Sequence, residues 1–151
     1  MAQSLTGLDC VLAYASSAIN DSDNTPEDAS WTEIDVVGDV TPSMGHVSAN
    51  FDTRGNNGFR TNVITLKEVS VSVTAEWKPD DTGWQEFRDA YQNGTEVPIA
   101  VLDGSPTTSG SQGPAGNWVV TQFDRPESPT EVVTTEITLE PSSYMSYWIK
   151  S

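Results

Sequence analysis

The chain is poor in the residues on which most chemistry relies. Its 151 residues include one cysteine, one histidine and seven bases. A single cysteine, Cys10, cannot close an intrachain disulfide, which removes the disulfide-stapled secreted scaffolds. One Cys and one His do not make up the usual zinc ligand set. Seven Lys and Arg against 22 Asp and Glu leave a net charge of −15. A protein that grips phosphate needs a basic stripe, and one that binds an anionic membrane needs a basic patch; this chain has neither. No apolar run approaches the ~18–20 residues that span a bilayer. Residues Met1 to Thr6 have no basic n-region and no long apolar core, so no secretory signal is expected. The expectation is a soluble protein made in a cytoplasm.

What is present favours β-structure. There are 15 Val and 17 Thr against 6 Leu, and β-branched residues pack well on a pleated surface. The length fits one domain, taken as residues 1–151, with room for a proper core. Leu, Ile, Val and Phe together number 31 of 151. That is close to the level of about 20% at which high charge favours disorder, so the pattern of residues decides.

The clearest strand runs along 68–77. Val69, Val71, Val73, Ala75 and Trp77 alternate with Glu68, Ser70, Ser72, Thr74 and Glu76, giving one apolar and one polar face. Further strands are expected at 9–18, 31–41 (with Gly38 as a bulge), 46–53, 95–102, 117–124 and 131–140. Pro42–Gly45 reads as a turn, and the polar stretch from Asn20 to Asp28 as a loop. Residues 52–66 read as a long loop and 103–116 as a mobile one, while 143–150 is an aromatic tail. Residues 80–93 switch to a helical period: Asp80 or Asp81 caps the start, and Gly94 sits at the C′ position. Trp84, Phe87 and Tyr91 share one helix face and are expected to pack on the sheet. The sum is a mainly β fold, a β-sandwich or small barrel of about seven to nine strands with one flanking α-helix.

Catalytic chemistry finds no residues to use. His46 has no nucleophile–acid arrangement around it. Cys10 reads as a small hydrophobe in an apolar strand. Asp21-x-Asp23-x-Thr25 starts like a calcium loop, but Pro26 stands where its glycine belongs and Thr32 where its glutamate belongs. The glycine-rich segment 104–116 has no lysine and is not a phosphate loop. No catalytic residue, metal or cofactor is expected, and the chain reads as a non-enzyme.

A series of short motifs carries a resemblance. Gly38-Asp39-Val40-Thr41 leads a strand that ends Asp52-Thr53-Arg54-Gly55. Gly58-Phe59-Arg60-Thr61 and Leu66-Lys67-Glu68-Val69 follow. Then come Trp77, Asp80-Asp81, Trp84 with Phe87, and Gly94 before Val97-Pro98-Ile99. Over about residues 31–140 this order resembles the major tail tube protein of long-tailed (siphovirus-type) bacteriophages. The resemblance implies a virion structural protein, assembled in the host cytoplasm. Six copies would form a ring, and rings would stack into a tube through which DNA passes without specific binding. It implies other tail proteins as partners: tail tip, terminator and tape measure. It also implies that the loop at 52–66 reaches neighbouring subunits.

The residues fit that implication. Asp52, Arg54, Asn56, Asn57, Phe59, Arg60 and Lys67 belong to or border the loop, and three of the seven bases are among them. On a subunit of charge −15, such bases suit an acidic neighbour and favour register over raw affinity. Asp52, Glu68 and Glu76 are candidates to face a lumen, where carboxylates repel phosphates over about 8 Å at physiological salt. Two other readings stand beside this one. The first is a monomeric β-sandwich binding or decoration module of a virion, using Trp31, Trp118, Tyr147 and Trp148 for stacking. The second is the tube subunit of a contractile injection system.

Overall fold

The computed structural model describes residues 7–52 and 54–151; the side chains of Leu8, Phe51, Asp52 and Asn56 lie outside that description. Among the described residues, seven strands form one antiparallel sheet. They are β1 (Val11–Ala15), β2 (Trp31–Glu33), β3 (Val37–Asp52), β4 (Arg60–Glu76), β5 (Val97–Leu102), β6 (Gln112–Asp124) and β7 (Thr134–Ile149). The sheet order is β2-β1-β5-β6-β7-β4-β3. One helix, α1 (Thr82–Asn93), lies between β4 and β5 in the chain.

The order dictates the shape. Strands β2 and β3 occupy opposite edges, yet only residues 34–36 separate them in sequence. Four residue steps span at most about 14 Å, so the two edges must approach each other. The linker stitches them: the Ile34 amide donates to the Leu12 carbonyl at 2.8 Å, and the Glu76 amide to the Val36 carbonyl at 2.9 Å. The sheet is therefore curled towards a barrel but left open at this seam. Its concave face holds one core, to which Leu12, Val71, Val73, Ile99, Trp118 and Leu139 contribute from five strands. The alternation along β4 explains this packing, because it turns Val71, Val73 and Ala75 inward together.

Helix α1 packs against β6 and β5 and closes over the core there. The Asp81 carboxylate accepts from the Trp84 amide at 3.0 Å, satisfying an orphan donor of the first turn. Gly94 ends the helix at φ 63°, where a side chain would be strained. Trp84 and Phe87 are buried, and the Trp84 indole N–H donates to the Thr135 hydroxyl at 3.1 Å. Tyr91 is 47% exposed and lies flat on Phe123, with ring centroids 5.7 Å apart. On the sheet's other side, Asn117 is buried. Its side chain exchanges two 2.8 Å hydrogen bonds with the Ile19 backbone and so anchors the acidic 20–30 loop.

Several expectations change. Pro42–Gly45 is no turn but part of β3, which runs unbroken from Val37 to Asp52. An edge strand tolerates proline because one row of its N–H groups has no ladder partner to satisfy. The long loop expected at 52–66 is much shorter, since β3 runs to Asp52 and β4 begins at Arg60. The loop at 103–116 also ends early: β6 begins at Gln112, and a side chain at Gly113 would collide with the Val101 carbonyl. The loop is tied at its end, the Gly110 amide donating to the Lys150 carbonyl at 2.8 Å. The expected tail at 143–150 is, up to Ile149, the second half of β7, paired with β6 from Gln112↔Ile149 to Gly116↔Met145. The first strand is shorter than 9–18, and Cys10 precedes it as an exposed residue. The bulge at Gly38 is present, as a register shift between Val37 and Val40.

Candidate inter-subunit surfaces

Strand β7 pairs with β4 only from Val71 to Glu76. Beyond that, β3 and β4 continue as a two-stranded ribbon, from Ser43↔Ser70 out to Asp52↔Arg60. Nine steps at about 3.3 Å make this ribbon roughly 30 Å long. Apart from the half-buried Val69 and Ser70 at its base, its described side chains are exposed, on both faces. A two-stranded hairpin with no packed face is marginal in water at best.

This hairpin is also apolar. Met44, Phe59, Val63, Ile64 and Leu66 are between 56% and 73% exposed. A β-bulge at Thr65 distributes them. Val47 pairs with Leu66 and Ser48 with Ile64, so Thr65 has no opposite residue and its hydroxyl donates to the Val47 carbonyl at 2.9 Å. One extra residue reverses the side-chain alternation. Leu66 and Val63 then share the sheet's outward face, while Ile64 joins Lys67 on the continuation of its core face.

The structure spreads the expected loop residues along the hairpin. Arg54 lies in a short 3-10 turn at the tip, Asn57 takes a left-handed φ of 52°, and Phe59 follows it. Arg60 opens β4 opposite Asp52, whose side chain, like that of Asn56, lies outside the described residues. Lys67 stands seven positions further down the strand. The bases therefore form a line and not a cluster at the tip.

A second surface lies on the outward face of β6, β7 and β4. Glu68 and Glu76 alternate with the buried β4 residues and so point away from the core. Register adds three acids that sequence reading did not single out: Glu136 sits opposite Thr74 and Asp124, and Glu140 opposite Val119. All five carboxylates are exposed, and the residues between them are mainly Ser, Thr and Gln. Among the described residues, no base stands on this face within the three strands. Lys78, just past β4, reaches Glu76 at 3.5 Å.

The aromatics are engaged elsewhere. Trp118 is buried and its indole donates to the Ile99 carbonyl at 3.0 Å. Trp148 is buried and stacks on Trp31 at 5.9 Å between centroids. Only Tyr147 of the four remains largely exposed, with its hydroxyl 2.8 Å from Gln112. No flat aromatic platform results. Glu27 accepts from the Ser151 amide, the Lys150 ammonium and the Trp148 indole, and these donors hold its carboxyl down at about 2. Among the described residues no group of His, Cys, Asp and Glu is placed to hold a metal, and no helix is long and apolar enough to cross a membrane.

No family model and no curated protein matches the sequence. Solved structures do match in fold. A chain from the tail of an empty gene transfer agent particle, refined with C6 symmetry, superposes with TM-score 0.69 at 15% identity, covering 96% of this chain and 99% of that one. A chain of the SPP1 tail tube superposes with TM-score 0.68 at 18% identity, over 91% of this chain and 75% of that one. A chain of the anti-feeding prophage baseplate gives TM-score 0.60 at 9% identity, over 98% and 97%. The chain thus shares its fold with chains from a tail, a tail tube and a baseplate.

Proposed function

We propose that this protein is the structural subunit of a bacteriophage tail tube, assembling as hexameric rings that stack around a channel for DNA. The observation that carries this reading is the projecting hairpin. It exposes apolar side chains on both faces, which a monomer has no reason to keep and a neighbouring subunit would cover. The likeness in fold to chains from tail assemblies supports the same role. The role is non-catalytic, and the other partners are further tail proteins.

The outward acidic face suits the channel wall. Five carboxylates among hydroxyls, with no base between them, repel a phosphate backbone and leave sliding DNA unbound. The tube of a related contractile injection system is the second reading, favoured by the shared fold of the anti-feeding prophage baseplate chain. A monomeric binding module is disfavoured, because three of the four tryptophans and tyrosines it would use are packed away.

Negative-stain electron microscopy over a concentration series tests the proposal. Hollow rings or tubes with a central channel are expected. Dispersed particles at every concentration, even with tail-tip proteins added as initiators, would sink it.

A further inference from the structure

At the seam where the curled sheet stays open lies a groove of about 960 Å³. Its floor is apolar, from Val11 and Leu12 of β1, Ile34, Val40 and Val101. Four carboxylates line it, Glu33, Asp35, Asp39 and Asp103, and no base does. Asp103 is committed within the chain, accepting from the Gln112 amide at 2.9 Å. Glu33, Asp35 and Asp39 are exposed.

The hairpin tip is the complement of this groove. It offers Arg54 and Arg60 with the 73% exposed Phe59, bases beside an exposed apolar ring. Within one chain the two cannot meet. The groove sits at the start of β3, around Val37–Pro42, and the tip at its far end, past Asp52. Twelve strand residues from Val40 to Asp52 hold them roughly 40 Å apart. We infer that the groove receives the hairpin tip of a second copy of this chain. Projection and receptor lie at opposite ends of one strand, so the contact is head-to-tail and repeats from copy to copy. Apolar burial would supply the affinity, and the opposed charges would set register and reject wrong partners. This deepens the tube reading and rests on it, by naming what the hairpin docks into.

The native cysteine provides the test, because Cys10 lines the groove and is exposed. A side chain at Gly55, in the tip, meets nothing within 4 Å, so Gly55→Cys is tolerated. Assembled Gly55→Cys protein treated with a short bismaleimide should give a ladder of linked chains on a denaturing gel. The ladder should vanish in Gly55→Cys/Cys10→Ser. Tubes without a ladder would overturn the docking while leaving the tube reading intact, and a ladder that survives Cys10→Ser would overturn it too. If no tube forms, linked pairs in concentrated protein would uphold the docking, and their absence would overturn it. Charge reversal gives an independent check. Arg54→Glu/Arg60→Glu should abolish assembly, and adding Asp35→Lys/Asp39→Lys to the same chain should restore it. Failure of that restoration, in a chain that still folds, would also count against the docking.

Discussion

The indole nitrogen of Trp148 donates to the Glu27 carboxylate at 3.0 Å, joining residues 121 positions apart in the chain. Lys150 and the Ser151 amide converge on the same carboxylate, and the Trp148 ring rests on Trp31. One acid thereby clamps the end of β7 to the loop that precedes β2.

That clamp should depend on pH. The Glu27 carboxyl is lowered from an ordinary 4.5 to about 2 in the folded chain. A depressed carboxyl stabilises the fold above its unfolded value and loses that contribution as pH falls through its folded value. The stabilisation is thus full above about pH 5 and fades between roughly pH 4.5 and 2. Glu27→Gln should lower the melting temperature at pH 7, with the gap to the native chain closing as the pH falls towards 2.5. A gap that stays constant over that range would rule out the clamp.

Helix α1 offers a graded test of packing. Phe87 is fully buried, whereas Tyr91 on the same face is 47% exposed. Phe87→Ala should cost about 3–5 kcal/mol, the usual range for removing a buried aromatic. Tyr91→Ala should cost clearly less, since it loses one stacked ring and leaves no enclosed cavity. Urea unfolding midpoints separate the two; equal losses would mean that the helix is seated differently.

The contrast between α1 and the hairpin also shows what the sequence could reveal. Trp84, Phe87, Asp81 and Gly94 mark the helix because capping and one-sided burial leave local signatures. Val71, Val73 and Ala75 mark β4 for the same reason. The outer half of β4 leaves no such signature. Where neither face is buried, no alternation is selected, and Asn62, Ile64 and Leu66 look like loop. Pro42 and Gly45 resembled a turn because edge position, which permits them, is a property of the whole sheet. The second half of β7 was hidden similarly, its pairing partner lying in a stretch rich in glycine and proline. Glu136, Glu140 and Asp124 join Glu68 and Glu76 only through register, which no single strand encodes.

Exposed apolar groups on the hairpin should matter for assembly and little for folding. Ile64→Ser/Leu66→Ser removes two side chains that are each more than half exposed. Surface changes of this kind usually fall within about 0.5 kcal/mol per site. The melting temperature of the unassembled subunit should therefore hardly move, while the yield of tubes in the microscope falls sharply. Undiminished tube formation would mean that the hairpin is not an interface.

The acidic face should govern what passes through an assembled tube. Glu68→Lys/Glu76→Lys replaces two carboxylates of that face with bases on every subunit, and a ring repeats the change around its circumference. If the face lines the channel, tubes of this variant should trap short DNA in a form protected from nuclease. Raising the salt should release it, as expected when phosphate contacts drive binding. Native tubes should protect none under the same conditions. Two measurements are needed together, co-sedimentation and nuclease protection, because DNA bound to the outside of a tube would sediment with it but remain digestible. Binding without protection would place these acids on the outer surface. Their role would then be to keep neighbouring tubes apart by like-charge repulsion, and the channel wall would have to be sought on another face of the sheet.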